Sequence, residues 1–327
     1  MGRSVVYGPV ISWRLGRSLG IDPILPPKTC TFDCIYCQLG RTARKIASPE
    51  EFEPKVHVDD VVSELRRALE TLDLSFIDYI TFSGCGEPIL NPELGDMIEA
   101  VRHICSGTPI ALLTNASLLW LEPILKNACK ADFLIAKLDA ADESTFRLIN
   151  RPARGITLEK IAEGLLRARE EARGKLAIQA MFLRAHDRPL NCAPKHIEEL
   201  VELLREIRPD QVQVNTPTRP PAEPYVRPLE PHELRSIAER LSSGLEGVEV
   251  VAWHSPEVRA IGPTAFRLRE AVLSVLERRP CRFHELCAIT GAEPLAIRAE
   301  LDRLLSDGLL STRDYRGERF YVIEKRA

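Results

Sequence analysis

Apolar positions along this chain alternate between two rhythms. Short apolar runs bounded by Gly, Pro or Asp predict strands at residues 19–25, 77–82, 109–114, 132–138, 175–183 and 211–215. Between them, apolar residues recur at three- and four-residue spacing, as on one face of a helix. Val58, Val61, Val62, Leu65, Leu69 and Leu72 mark the first such face. Leu94, Met97, Ile98, Val101 and Ile104 mark the second, after an Asn91-Pro92 pair that suits a helix start. Further helices are predicted at 118–127, 143–148, 158–172 and 194–207, the last with Ile197, Leu200, Val201 and Leu204 inward.

Six strands, each followed by helix and with no hairpin signal between them, imply a parallel sheet of right-handed βαβ units. The fold class expected is α/β, a partial (β/α)6 TIM-like barrel. Active sites of such barrels lie at the C-terminal strand ends. A cysteine-rich loop, the 83–88 loop and Thr114-Asn115 all fall there. Residues 1–18 predict no clear element.

Beyond residue 215 the rhythm changes. Pro217, Pro220, Pro221, Pro224, Pro228 and Pro231 exclude a central strand or helix interior, leaving a stiff arm suited to cover the barrel's open side. A helix at 232–241 and a strand at 248–253 follow. Helices at 266–276, 283–289 and 294–305, then a hairpin of 309–313 with 319–323, predict a C-terminal winged helix-turn-helix. The division expected is a core of 1–226, a proline-rich linker with an αβ extension at 227–262, and a winged-helix domain at 263–327.

Composition narrows the function. With 327 residues, 45% hydrophobic and 28% charged, the chain has the make-up of a globular protein with a sizeable core. A net charge of −3 argues against electrostatic gripping of nucleic acid as the main task. No apolar run is long enough to span a membrane, and the N-terminus lacks a secretory apolar segment or the Ser/Thr of a myristoylation signal. Nine cysteines without such a signal point to a reducing cytoplasm and to metal chemistry.

Cys30, Cys34 and Cys37 stand within eight residues, with Tyr36 before the last. Three soft thiolates suit zinc or an iron–sulfur centre and leave one coordination position open. A zinc site completed by Cys85 or His57 is the plainer reading of the triplet alone. Cys105, Cys129, Cys192, Cys281 and Cys287 read as buried thiols.

The Cys-x3-Cys-x2-Cys spacing after a first strand resembles the cluster motif of the radical S-adenosylmethionine (SAM) superfamily. Ser83-Gly-Cys-Gly-Glu-Pro at the next strand end resembles its glycine-glycine-glutamate motif. Tyr7-Gly-Pro, Arg14-Leu-Gly-Arg-Ser-Leu-Gly, Lys28-Thr-Cys and the run from Asn215 to Glu223 resemble one subgroup, uncharacterised archaeal and bacterial iron–sulfur oxidoreductases related to the wyosine-tRNA imidazoline-forming synthase. The likeness spans roughly residues 1–226.

The resemblance implies a [4Fe–4S] cluster on Cys30, Cys34 and Cys37, with SAM on the fourth iron. Reduction would cleave SAM to a 5′-deoxyadenosyl radical that takes hydrogen from a substrate, after an electron from a flavodoxin or ferredoxin. SAM contacts are expected from Tyr36 against the adenine, Gly84, Gly86 and Pro88 along the methionine, and Glu87 near its ammonium. Asn115 and Ser117 are expected on the ribose, and Lys137, Asp139 and Gln179 inside the barrel. A tRNA base is the substrate first implied, though the wyosine-forming relatives carry upstream cysteines and Cys30 is the first here. A protein or peptide presented by the winged helix is the alternative, and an iron–sulfur redox sensor binding DNA comes from another class. From residue 264 onward, 12 Lys and Arg face 10 Asp and Glu, an excess of two, which is weakly basic for a DNA reader.

Overall fold

The computed structural model describes residues 4–254 and 268–324. The chain opens with an unanticipated hairpin. Strand β1 (Val6–Ser12) runs antiparallel to β2 (Gly16–Ile21), pairing Val6 with Ile21 and Ser12 with Gly16. The hairpin signal was hidden because a three-residue turn, Trp13-Arg14-Leu15, carries only one glycine beside it. Asp22 and Pro23 stop β2 earlier than the apolar run to Leu25 suggests. The cysteine loop follows, with β3 (Thr29–Cys30) laddered to β4 (Arg44–Lys45).

From α1 (Val58–Leu69) the strand–helix alternation proceeds as the apolar pattern predicts: β5 (Tyr79–Phe82), α2 (Leu94–Ile104), β6 (Ile110–Thr114), α3 (Glu122–Ala128), β7 (Phe133–Lys137), α4 (Glu143–Asn150), α5 (Leu158–Glu171) and β8 (Lys175–Met181). After a short hairpin of β9 (Arg184–Ala185) and β10 (Arg188–Pro189) come α6 (Pro194–Ile207) and β11 (Gln211–Asn215). Then β12 (Val226–Arg227) pairs with β9, α7 (Pro231–Gly244) follows, and β13 (Glu249–Ala252) joins the main sheet beside β11.

The result is an α/β fold around an eight-stranded sheet ordered β1-β2-β5-β6-β7-β8-β11-β13, parallel throughout except for β1 at its edge. Each central strand is nearly all buried, as a parallel sheet covered by helices requires. Asn91 does not cap α2. Its amide donates to the Pro23 and Val56 carbonyls at 3.0 Å, stitching together the segments before and after the cysteine loop.

The C-terminal segment forms α8 (Leu268–Leu276), α9 (Phe283–Thr290), α10 (Pro294–Ser306) and the antiparallel pair β14 (Leu310–Tyr315) and β15 (Glu318–Ile323). The expected helix start at Phe266 and the boundary at 262/263 lie outside the described residues. These elements hold their own apolar cluster, centred on Val272, Leu286, Ile297 and Leu304, against which Val10 of β1 also packs. No described helix is long and apolar enough to cross a membrane.

One buried ion pair fastens this segment to the core. Arg278 Nε donates to Asp22 Oδ2 at 3.1 Å, with both side chains almost fully buried. Breaking such a pair strands a charge in the interior, typically at about 3–5 kcal/mol. Asp22→Asn should therefore lower unfolding stability in urea by that amount, and Arg278→Met added to it should restore part of the loss. A loss of under about 1 kcal/mol for Asp22→Asn would show that water already solvates the pair.

Candidate active site

The cysteine loop is shaped by its own backbone. Cys37 N–H donates to the Cys34 carbonyl at 3.1 Å and Gly40 N–H to the Cys37 carbonyl at 3.0 Å, giving two successive turns. Asp33 and Ile35 N–H donate at 3.0 Å to Asn150 and Ile149 carbonyls at the end of α4, anchoring the loop to a neighbouring strand–helix unit. The three thiols are half-buried and line one cavity of about 360 Å³. Burial pushes the Cys30 thiol up, with Glu87 adding to it, and burial with Cys37 and Asp139 pushes Cys34 up to about 11. Lys28 lies against all three sulfurs. Its burial disfavours the charge, but the negative sulfurs outweigh that and raise its pKa. The ammonium donates to the Gly40 carbonyl at 2.7 Å.

The 83–88 loop follows β5 and lies directly on this one. Gly86 bridges Thr29 in parallel register, Glu87 N–H donates to the Thr29 carbonyl at 3.1 Å, and Thr29 N–H donates to the Cys85 carbonyl at 3.3 Å. A Cβ on Gly86 would collide with the Thr29 carbonyl oxygen, and one on Gly84 with the Asp22 carboxylate. Both glycines line the cavity, yet what requires them is contact inside the protein, where the sequence suggested approach to a ligand. Cys85 turns away from the cavity toward the Glu277 carbonyl, 3.5 Å from its sulfur.

Glu87 is also committed internally. Its Oε1 accepts from Thr114 Oγ1 at 2.6 Å and its Oε2 from Asn115 N–H at 2.7 Å, so it ties the end of β6 to the loop. Burial raises its pKa to about 7, against the opposing pull of Thr114, Asn115 and Ile89. Pro88 begins the short turn of helix that follows and also lines the cavity.

The remaining expected contacts divide. Tyr36, Asn115, Lys137 and Gln179 line the cavity; Ser117 and Asp139 are not on its wall. Ser117 is fully buried, its hydroxyl 2.7 Å from that of Thr31. Asp139 bonds the Tyr36 hydroxyl, Asn150 Nδ2 at 2.7 Å and Met181 N–H at 2.9 Å. It is a fastening behind the wall, and Lys137 Nζ reaches it at 3.5 Å. The Tyr36 ring carries the Lys137 ammonium 4.9 Å from its centroid. Asn115 Nδ2 donates to Thr31 Oγ1 at 2.7 Å and sits 3.5 Å from Cys30 Sγ.

Sequence reasoning missed Lys28, Asn150, Arg14 and Arg279. Lys28 precedes the first cysteine by two residues, a position that could have flagged it. Asn150 ends a helix and reaches Cys34 Sγ at 3.5 Å only through the fold. His57 lies elsewhere, exposed and 2.6 Å from Glu93 at the start of α1.

These features define a class: a parallel α/β sheet with a three-cysteine loop and a glycine-rich loop meeting at its C-terminal strand ends. The Radical SAM superfamily model matches residues 24–184, and the chain belongs to that superfamily. Its relatives include a UPF0026 protein of Methanocaldococcus jannaschii, 30% identical over 98% of this chain and 96% of the relative. A UPF0026 protein of Synechocystis is 39% identical over 69% of this chain and 79% of its own length. A protein named GTPase Obg from Brachyspira hyodysenteriae is 31% identical across 97% of this chain, which spans 45% of that longer protein. Among solved structures, a radical SAM methyltransferase from Sphaerobacter thermophilus superposes with a TM-score of 0.52 at 18% identity, over 73% of this chain and 66% of that one. Streptococcus suis SuiB bound to S-adenosylmethionine gives 0.52 at 16% identity, over 71% and 50%.

The superfamily works with a [4Fe–4S] cluster and SAM. The cavity suits them: three thiols in its lining, a lysine against them, and an adjoining loop that brings Gly84 and Gly86 to the same lining. Among the described residues no three His, Cys, Asp or Glu side chains gather tightly enough for a single metal ion.

Glu87 makes the site's stability pH-dependent. Its folded pKa, about 7, exceeds the ordinary 4.5, so the native state keeps a proton that the unfolded chain has lost between those values. The stabilisation is complete below the unfolded value and disappears as pH rises through about 7, a change of order 3 kcal/mol. Chemical denaturation across that range should show wild type losing stability relative to Glu87→Gln. Parallel profiles would mean that the carboxyl titrates normally.

Proposed function

We propose that this chain is a radical SAM enzyme whose cluster is held by Cys30, Cys34 and Cys37. The observation that carries this reading is the convergence of those thiols and the 83–88 loop on one cavity. A cluster held by these cysteines would, when reduced, supply one electron for cleavage of a SAM carbon–sulfur bond, giving methionine and a 5′-deoxyadenosyl radical able to take hydrogen from a substrate. The protein's own part is to bind, orient and keep out water. Lys28 offsets the negative charge of the sulfurs. Gly84, Gly86 and Pro88 present backbone for SAM, and Asn115 lies beside Cys30. Tyr36, held by Asp139 and Lys137, provides an aromatic wall, with Gln179 beside Lys137 at 3.3 Å. Glu87 shapes this surface by fixing the loop. A small reductant protein such as a flavodoxin or ferredoxin supplies the electron.

The fold is read as an incomplete barrel with a winged-helix tail. The tail faces the core: α8 and α9 pack on β1, and Arg219 of the proline-rich arm pairs with Glu285 of α9 at 2.5 Å. On α10, Arg303 pairs with Glu300 and Arg298 covers the Phe283 ring. Such a tail encloses a substrate rather than reading DNA, which weighs against a redox-sensing regulator. The substrate is then a small molecule, or a single group inserted into the cavity.

Anaerobic reconstitution should give about four irons and four sulfides per chain. Reduction in the presence of SAM should give 5′-deoxyadenosine by chromatography. Cys30→Ala, Cys34→Ala and Cys37→Ala should each abolish the nucleoside, while Cys85→Ala should retain it. Equal product from wild type and the triplet variants would overturn the assignment.

A further inference from the structure

The cavity that carries the cysteines extends past them to the turn of the N-terminal hairpin and to the end of α8. Its lining is strongly one-sided. Glu87 is the one carboxylate among the described lining residues, against the cations Arg14, Lys28, Lys137, Arg219, Arg278 and Arg279. Four of those cations have evident duties. Lys28 faces the three cysteines, and Lys137 is shared by Gln179 and Asp139. Arg219 is paired with Glu285 and Arg278 with Asp22.

Arg14 and Arg279 are different. Among the described residues neither makes an ion pair, and the Nε of each is buried with no hydrogen-bond acceptor, although Arg279 is near enough to Glu285 to help hold its carboxyl low. The guanidinium of Arg279 donates to the Ile11 carbonyl at 3.3 Å, and that of Arg14 lies beside the Trp13 ring. The two are close enough to repel. Burial, and then Arg279, lowers the Arg14 pKa to about 10. Two half-buried like charges, each with a buried and unused Nε donor, are costly, and an anion bound beside them lowers that cost.

We propose that Arg14 and Arg279 form the subsite for a phosphate group of the substrate. This rests on reading the same cavity as the radical site. Two guanidiniums match the nearly double negative charge of a phosphate monoester better than the single charge of a carboxylate. Planar N–H forks suit phosphate oxygens. The subsite is made jointly by the N-terminal hairpin and the C-terminal segment, so the tail supplies a binding residue as well as a wall. The substrate class is a small phosphorylated molecule whose reacting carbon points toward the cysteine loop.

The test is calorimetric titration of the reconstituted full-length protein with inorganic phosphate, with acetate at equal ionic strength as reference. Phosphate should bind at one site per chain, and Arg14→Gln or Arg279→Gln should weaken it at least about tenfold, the loss of one charge-assisted contact. Arg298→Gln, on the exposed side of α10, should leave it unchanged. Arg14→Gln should hold or raise the melting temperature, because it relieves repulsion; a structural arginine would lower it. Absence of phosphate binding, equal binding of acetate, or binding insensitive to both substitutions would overturn the proposal. Formation of 5′-deoxyadenosine is read separately. Phosphate binding lost in both variants of a chain that makes no deoxyadenosine would leave the anion subsite standing and remove the radical reading.

Discussion

The buried carboxylate of Asp22 is the constraint on which the site's geometry rests. A fully buried anion survives only when its lone pairs are met, and here they are met from three directions. Ile24 and Leu25 N–H donate to Oδ1 at 3.1 and 3.2 Å, turning the chain off the end of β2 toward the cysteines. Cys85 N–H reaches both oxygens at 3.1–3.2 Å, seating the glycine loop. Arg278 completes the shell from the C-terminal segment. One side chain thus fixes the two loops that carry the motifs and the segment that closes over them. Gly84 belongs to the same arrangement, because any side chain there would occupy the space of the carboxylate.

Arg278 extends this constraint outward. Its NH2 donates to the Ser4 carbonyl at 2.6 Å, its guanidinium covers the Tyr7 ring at 4.8 Å, and its own carbonyl accepts from Gln38 beside the last cysteine. Tyr7 in turn meets Ser83 Oγ at 2.7 Å. The hairpin, cysteine loop, glycine loop and tail are therefore tied to one another through this one side chain. Such coupling matters for radical chemistry, in which a reactive species must be kept from water and from wrong partners.

The parallel core was legible because a buried parallel strand writes itself as a short apolar run and its helix as a three-to-four periodicity. The cysteine and glycine loops were legible because their spacing is local. What stayed hidden was mostly long-range. Gly8 and Gly20 interrupt the apolar pattern of the first two strands, and the Tyr7 ring fills the space beside Gly20, so the hairpin looks irregular in sequence. Asp139 and Ser117 read as site residues because polar groups at strand ends often face ligands. Here Asp139 instead satisfies Tyr36, Asn150 and a backbone N–H behind the wall, and Ser117 satisfies Thr31. Glu87 combines both outcomes, being correctly placed at the cavity and spent on holding it. Arg14 and Arg279 are 265 positions apart (279 − 14), and no local pattern connects them.

The tail shows why counting charges misleads when their destinations are unknown. Its small excess of basic residues suggests a weak nucleic-acid surface, yet several of its described arginines are paired within the protein. Arg269 pairs with Glu300 and Asp307, Arg282 with Glu285 and Glu318, and Arg316 with Glu230 of the core. Arg278 is paired with Asp22, and both it and Arg279 line the core cavity. The electrostatic asymmetry that remains is therefore internal. A chain that is acidic overall concentrates positive charge on the walls of its own cavity, where low dielectric makes each uncompensated charge count most. On the proposed reading, that placement offsets the burial that holds the Cys30 and Cys34 thiols up, and the same positive wall would favour an anionic group at the other end of the cavity.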